Sequence, residues 1–337
     1  MGINNCNMFL RNVGTTIYYN QLQNKRIAID ILIYIFNFFH RYGRDPKITE
    51  RKLISFLKNF RKLNIETICI FDGKNKPKEK AECMERRKRY TQFDDLYAFY
   101  CGDYMKLVNE YGLVDNEDKI IENIAEIYQK IKDKYSQKPI PEKDTYIQYV
   151  LYKEKKYTKL KEKFPDILIS WYQKNLYEPP NIKTLSYNDI RIIKHKIYEN
   201  GFSVYEADGE GENLCCSLLN DNKVDYVMSE DSDVFMYGAV RTLRSVKEHT
   251  CILIHIQDIY KSLEIDETSF KCLCIMMGTD YKTCGLKDYG FVKCLKELKT
   301  ENGMNELVEK YNTYNDISYK HILSLFTLCS KYKPYVG

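Results

Sequence analysis

The chain contains no apolar run approaching the roughly 18 residues that span a bilayer, and its first residues lack the basic and apolar blocks of a secretory signal. These absences argue against a membrane partner and predict a soluble intracellular protein. Internal repeats and Gly/Ser linkers are also missing, so the 337 residues are expected to fold around one large core or two modest ones rather than as strung modules. Cysteine is present at 12 positions, but without order. Neighbours such as Cys215 with Cys216, or Cys272 with Cys274, lack zinc-ligand spacing, so the thiols are read as reduced and mostly buried. Met1-Gly2 opens like a myristoylation site, yet Cys6 stands where that signal takes Ser or Thr. A strong charge of one sign is absent too: 52 basic against 47 acidic residues leave a net +5. Such a balance permits a polyanionic partner without requiring one, because local clusters of Lys and Arg decide phosphate binding.

What is present divides into three stretches. Up to about residue 75, two strand-like apolar runs, Arg26 to Ile31 and Glu66 to Phe71, each lead to an aspartate, with an aromatic-rich helical stretch between them. From Lys74 to about Leu185 the chain turns Lys-, Glu- and Tyr-rich with helical spacing, which reads as an insertion. Strands resume at Ser203 to Glu206, Asp225 to Met228 and Cys251 to Ile256, alternating with helical patterns around Glu212 to Leu219 and Ser269 to Met277. Alternation of this kind predicts a mostly parallel, twisted α/β sheet flanked by helices. Each α/β block has too few strands to close a core alone, so the two are expected to share one sheet.

Acidic residues recur where these strands end. They are Asp30 in AID, Asp72 in IFDG, Glu210 and Glu212 in ADGEGE, and Asp231 and Asp233 in SEDSD, with Asp280 in MMGTDY as the seventh. An open parallel sheet gathers the carboxyl ends of its strands along one edge, where such folds place their sites. Seven carboxylates drawn together raise one another's pKa unless cations neutralise them. All are oxygen donors with no His or Cys interleaved, which favours Mg²⁺ or Mn²⁺ over zinc. Asp231 and Asp233, two apart just past a strand, would point to one side of an extended backbone. Glu210 and Glu212 would diverge on a regular helix, but Gly209 and Gly211 allow the chain to bend both inward. Two metals at such a site activate water and stabilise the charge of an attacked phosphodiester. Any single one of these acids is more readily a wet turn residue, and FDG at Asp72 has the composition of a turn. The ordered set carries the inference.

At this point the residues resemble the flap endonuclease and xeroderma-pigmentosum-G-type family of structure-specific 5′ nucleases. The resemblance is carried by MGI at Met1, AID, IFDGK, the basic run up to Arg89, GEGENLCCSLL, SEDSDVFMYG and CIMMGTDY. It implies a PIN-like sheet divided as 1–90 and 186–285, a helical arch over 91–185, and a helix-two-turn-helix-like DNA-binding region over 286–337. It also implies two Mg²⁺ ions, with Mn²⁺ as a substitute: Asp30, Asp72, Glu210 and Glu212 for the first, Asp231 and Asp233 with Glu212 for the second, and Asp280 behind the second. Gly2 would approach the substrate backbone. A Lys and an Arg two helical turns apart would grip the scissile phosphate, which fits Lys80 with Arg87 at seven residues, or Lys78 with Arg86 if the loop after Asp72 carries an extra residue. Phe36 or Tyr34 would stack on a base, although aromatics at helical spacing are commonly core.

Two departures from the family pattern bear on substrate. The GxGP turn that grips duplex DNA and a K⁺ ion is replaced by GLKDYGFVKCL, which keeps Gly290 but has Asp288 and Phe291 in place of a glycine and a proline. The chain stops at Gly337 without the Gln-rich aromatic tail that docks a sliding clamp. The expected partner is DNA with a 5′ flap, nick or free end, bound by a monomer in replication, repair or recombination. A Lys-, Asn-, Ile- and Tyr-rich composition suggests an AT-biased genome, compatible with a large DNA virus or a protist, and the expected location is the nucleus or, if viral, a cytoplasmic replication site. The rival readings are a 5′-to-3′ exoribonuclease and a non-catalytic nucleic-acid-binding protein.

Overall fold

The structure is a computed structural model that describes residues 3–4, 6–10, 13–81, 83–84, 125–126, 128–129, 132 and 185–337. The chain divides into two compact units, one formed by Met1–Cys83 with Leu185–Gly337 and the other by Met84–Thr184. Arg86, Arg87 and Gly2 lie outside the described residues, as does nearly all of the expected arch.

The first unit is built on one sheet, ordered β1-β7-β6-β5-β2-β3-β4-β8. Its strands are β1 (Thr15–Tyr18), β2 (Arg26–Asp30), β3 (Glu66–Phe71), β4 (Ser203–Ala207), β5 (Tyr226–Met228), β6 (Arg241–Arg244), β7 (Thr250–His255) and β8 (Tyr332–Pro334). The five central strands, β6-β5-β2-β3-β4, run parallel. β1, β7 and β8 are antiparallel additions. In register, β2 sits between β3 (Asp30↔Ile70) and β5 (Ile29↔Met228). The stretches before and after the insertion therefore share one sheet.

Why β2 takes the centre follows from its sequence. All of Ile27, Ala28, Ile29 and Asp30 are buried, as expected for a parallel strand covered on both faces. Strand alternation sends Ile27 and Ile29 into one core with Leu53, Leu57, Phe60, Cys69 and Ile197. Ala28 goes to the other with Ile68, Ile70, Leu214 and Leu218. Each fully buried Ile or Leu contributes on the order of 1.5–3 kcal/mol.

The helices are α1 (Asn7–Leu10), α2 (Ile31–Arg41), α3 (Pro46–Lys62), α4 (Tyr187–Glu199), α5 (Gly211–Asn220), α6 (Asp233–Met236), α7 (Ile256–Leu263), α8 (Glu267–Met277), α9 (Phe291–Leu298), α10 (Gly303–Tyr314) and α11 (Tyr319–Ser324). Their starts are written in the sequence. Asp45 caps α3 by accepting from the N–H groups of Lys47 (2.8 Å) and Ile48 (3.0 Å), with Pro46 at the first position. Ser186 and Asp189 close a reciprocal capping box on α4.

One expectation needs correcting in this unit. The region 286–337 is not helical throughout, because Tyr332–Pro334 leaves the helices and pairs with β4 through Tyr205↔Pro334 and Ala207↔Tyr332. Pro334 is tolerated there because an edge strand leaves one row of backbone groups unpaired. Among the described residues every cysteine is free and most are buried. No described helix is long and apolar enough to cross a membrane.

Candidate metal centre

All of the acidic residues singled out in the sequence come to the carboxyl-terminal edge of the parallel strands or the loops beside it. Asp30 is the last residue of β2, Asp72 follows β3, Glu210 and Glu212 follow β4, and Asp231 and Asp233 follow β5. Asp30, Glu210, Glu212, Asp231, Asp233 and Asp280 are all nearly fully buried. Carboxylate oxygens of Asp72, Glu210 and Glu212 approach one another within 4.8 Å.

The local backbone explains each approach. Glu210 caps α5 in an extended conformation, and Glu212 lies in the first turn, so a bend at Gly211 turns both acids to the same place. Gly211 is also where the chain passes closest to the aspartates: its N–H donates to Asp72 Oδ1 at 2.9 Å. A Cβ there would stand 3.0 Å from that oxygen and 3.7 Å from Asp30 Oδ1. The helix N-terminus adds a favourable field for negative charge.

Asp231 and Asp233 converge differently from the extended arrangement expected of them. Ser232 is in the α-helical region and Asp233 opens α6; the pair is drawn together by a bond from the Asp233 N–H to Asp231 Oδ1 at 3.1 Å. Asp280 does not end a strand either. It lies three residues past α8, in a turn where Gly278 has φ +94° and a Cβ would collide with Asn4 Nδ2 and the Thr283 carbonyl at 2.6 Å. Glycine relieves both constraints.

Burial is the main cause of raised pKa values here. It pushes the Asp30 carboxyl from 3.8 to about 8, helped by the charges of Asp72 and Asp231. Glu212 is raised well above the usual range by burial and then by Glu210 and other acids, against the pull of Lys80. Asp233 is raised by burial, Asp231 and Asp280. Two lysines answer this charge. The Lys80 ammonium is buried 2.6 Å from Glu210 Oε2, 3.6 Å from Glu212 Oε1 and 3.7 Å from Asp280 Oδ2. Burial disfavours its charge, but Glu212 and Glu210 outweigh that and hold it protonated. Lys76 pairs with Asp72 Oδ2 at 2.6 Å.

The residues present fit hard divalent cations. Glu210 Oε1 and Asp233 Oδ1 are buried with no hydrogen-bond partner, an expensive state for an anionic oxygen unless a cation meets it. The grouped side chains that could ligate an ion, Asp72, Glu210 and Glu212, offer carboxylate oxygens, which suits Mg²⁺.

The substrate-facing expectations divide. Lys80 sits in a short 3₁₀ turn, Lys78–Lys80, with its ammonium in the cluster, whereas Lys78 points to solvent. Phe36 is exposed at 40% while Tyr34 is buried at 2%, with its hydroxyl 3.5 Å from Glu230 Oε1. Tyr34 is therefore core. Gly290 is the exposed N-cap of α9. Asp288, which stands where the family pattern has a glycine, takes the left-handed conformation at φ 62°, a geometry that Asp tolerates better than most residues. Sequence reasoning overlooked Lys76, although it lies four residues before Lys80 in the same basic run. It also overlooked Ser229, which opens the SEDSD segment and bonds to Asp30 Oδ2 at 2.9 Å.

Comparison with known proteins agrees with this architecture. The XPG N-terminal domain matches residues 1–93 and the XPG I-region matches residues 201–280, together just over half of the chain. A RAD2-like endonuclease of Invertebrate iridescent virus 3 is 26% identical over 312 residues, covering 83% of this chain and 74% of the viral protein. Flap endonuclease 1 of Methanococcus aeolicus is 31% identical over 138 residues, covering 40% of this chain and 42% of the archaeal one. Among solved structures, flap endonuclease-1 from Methanococcus jannaschii superposes with a TM-score of 0.58 at 19% identity, over 96% of this chain and 86% of its own. The catalytic core of Rad2 in complex with a DNA substrate gives 0.58 at 16%, over 99% and 90%. With a mostly parallel sheet of the flap endonuclease and Rad2 type, and both XPG segments laid over the strands that deliver its carboxylates, the chain belongs to the XPG and flap endonuclease family of structure-specific nucleases.

Proposed function

We propose that this chain is a Mg²⁺-dependent structure-specific 5′ nuclease that hydrolyses DNA phosphodiesters near flaps, nicks or free ends. The observation that carries the reading is the convergence of seven acids from five separate loops and strand ends on one edge, with buried carboxylate oxygens left unpartnered. Asp30, Asp72, Glu210 and Glu212 would hold one ion, and Asp231 and Asp233 with Glu212 a second, with Asp280 behind it. Bound there, such a pair of ions would supply Lewis-acid activation of water and charge stabilisation for the attacked phosphate.

The chain's own groups have distinct tasks. The Lys80 ammonium, held charged beside Glu210, would neutralise charge on the non-bridging phosphate oxygens, a task that Arg87 would share. Low exposure of Asp30, Glu212 and Asp233 keeps bulk water from screening these interactions. Phe36, exposed on α2 just past Asp30, offers a stacking face for an unpaired base. The Asp288–Gly290 turn before α9 would face duplex phosphates with its backbone and a K⁺ ion, and Gly2 would reach the substrate strand. DNA as substrate is supported by the Rad2 core complex that shares the fold.

The test is cleavage of end-labelled flap, nicked, gapped and hairpin DNA beside a 5′-phosphorylated RNA, with and without Mg²⁺. The expected result is Mg²⁺-dependent cutting of flap DNA near the junction, lost by more than about 100-fold in Asp231→Ala. Faster cutting of the RNA would replace the reading by a 5′-to-3′ exoribonuclease. An unchanged rate in Asp231→Ala would remove the carboxylate assignment.

A further inference from the structure

We propose that Ser229 is a positioning residue that locks a ligand of the first proposed metal position to a ligand of the second. The inference rests on the carboxylate reading above and adds a group that makes no contact with substrate.

Ser229 directly follows β5 and is fully buried. Its own N–H donates to the Leu243 carbonyl of β6 at 3.3 Å, so its backbone is fixed by the sheet. The hydroxyl then reaches two ways. Oγ donates to Asp30 Oδ2 at 2.9 Å and accepts from the Asp231 N–H at 3.0 Å. A hydroxyl has one proton and two lone pairs, and an amide N–H can only donate. With Asp30 ionised, as a bound cation would keep it, the proton is committed to Asp30 and the two bonds fix one orientation.

These bonds make a continuous chain across the cluster. Asp30, at the end of β2, is tied through Ser229 to the backbone from which the Asp231 side chain leaves, and Asp231 Oδ1 receives the Asp233 N–H. On the far side of the same loop the Arg244 guanidinium donates to the Glu230 and Asp231 carbonyls. The loop between β5 and α6 is thus held at both its side-chain and its carbonyl faces, with Ser229 its only described link to Asp30. Hydrogen bonds that aim carboxylates at a metal typically govern its affinity by about 10- to 100-fold. Because Ser229 joins Asp30 to Asp231, its loss is expected to weaken both ions together.

A buried serine that merely satisfies its own hydroxyl predicts something else, and Mn²⁺ titration of the metal-free full chain separates the two. Binding is followed by electron paramagnetic resonance, with Ser229→Ala, Ser229→Cys, Asp30→Asn and Asp231→Asn beside the wild type. Ser229→Cys fills the space with a weak donor and serves also if Ser229→Ala does not fold. The expected result is a 10- to 100-fold weakening of both Mn²⁺ steps in the Ser229 variants, with the metal-free melting temperature moved by only a few degrees. Asp231→Asn should weaken chiefly one step. Wild-type binding in Ser229→Cys, or weakening of a single step, overturns the coupling role. If Asp30→Asn and Asp231→Asn both bind Mn²⁺ normally, the carboxylate reading itself falls, which is a different outcome from failure at Ser229 alone.

Discussion

Asp30→Asn should stabilise the metal-free protein while abolishing its metal chemistry. Asp30 is 5% exposed, and its carboxyl is raised from 3.8 to about 8 by burial and by the charges of Asp72 and Asp231. A carboxyl whose folded-state pKa lies above its unfolded value contributes stability that is fully present below the unfolded pKa. That contribution is lost as pH rises through the folded pKa. The window runs from about pH 4 to about pH 8, at about 1.4 kcal/mol per pH unit, so the metal-free protein should lose on the order of 5 kcal/mol across it. Glu212 and Asp233 are raised by the same cause and act with the same sign. At about 2–4 °C per kcal/mol for a unit of this size, the melting temperature in chelator should fall by about 10 °C or more between about pH 5 and about pH 8. Excess Mg²⁺ should restore it. Asn keeps an oxygen to accept the Ser229 hydroxyl but carries no charge. Metal-free Asp30→Asn should therefore match the wild type near pH 5 and exceed it near pH 8, and should gain little from Mg²⁺. Circular-dichroism melts in chelator and in Mg²⁺ measure all four conditions. A variant less stable than the wild type near pH 8, or a wild type whose metal-free stability does not fall with pH, would refute the reasoning.

Gly211→Ala introduces a Cβ 3.0 Å from Asp72 Oδ1, at a helix start where Ala is otherwise tolerated. The melting temperature should change little while Mg²⁺ affinity falls by about tenfold or more, read by calorimetry. Phe36→Ala removes an exposed side chain, so stability should move by less than about 0.5 kcal/mol. If Phe36 stacks on a base, DNA binding should weaken by about 1–3 kcal/mol, and unchanged affinity in a fluorescence-anisotropy titration removes that role.

How much of this was readable depends on which signal each part leaves. β2 and β3 announce themselves because a strand covered on both faces must be apolar throughout and each leads to an acid. β4, β5 and β7 follow from the return of strand pattern after the insertion. β1 has a single buried residue among its four, Ile17, and β6 is bounded by Arg241 and Arg244, so neither shows an apolar run. β8 contains a proline, which argues against a strand until its place at the sheet edge is known. That the seven acids gather at one edge was legible from their order, but the way they meet was not. Asp231 and Asp233 are gathered by a helical turn and a backbone bond, and Asp280 arrives from the end of α8. Such bonds depend on neighbours distant in sequence. For the same reason helical spacing could not rank Tyr34 against Phe36, and only the packing of α2 on the sheet puts the first inside and the second out. At Asp288 the residue departs from the family pattern, and its backbone takes the left-handed conformation.

The placement of β2 against β5 has a consequence for how this enzyme comes into being. Ile27 pairs with Tyr226, about two hundred positions later in the chain, and pairings between such remote segments form late and slowly. While only the leading stretch has left the ribosome, Asp30 and Asp72 exist without Glu210, Glu212, Asp231 and Asp233. A half-synthesised polypeptide therefore lacks five of the seven acids that gather in the folded chain. The acid cluster is complete only when the later strands β4 and β5 have paired alongside β3 and β2.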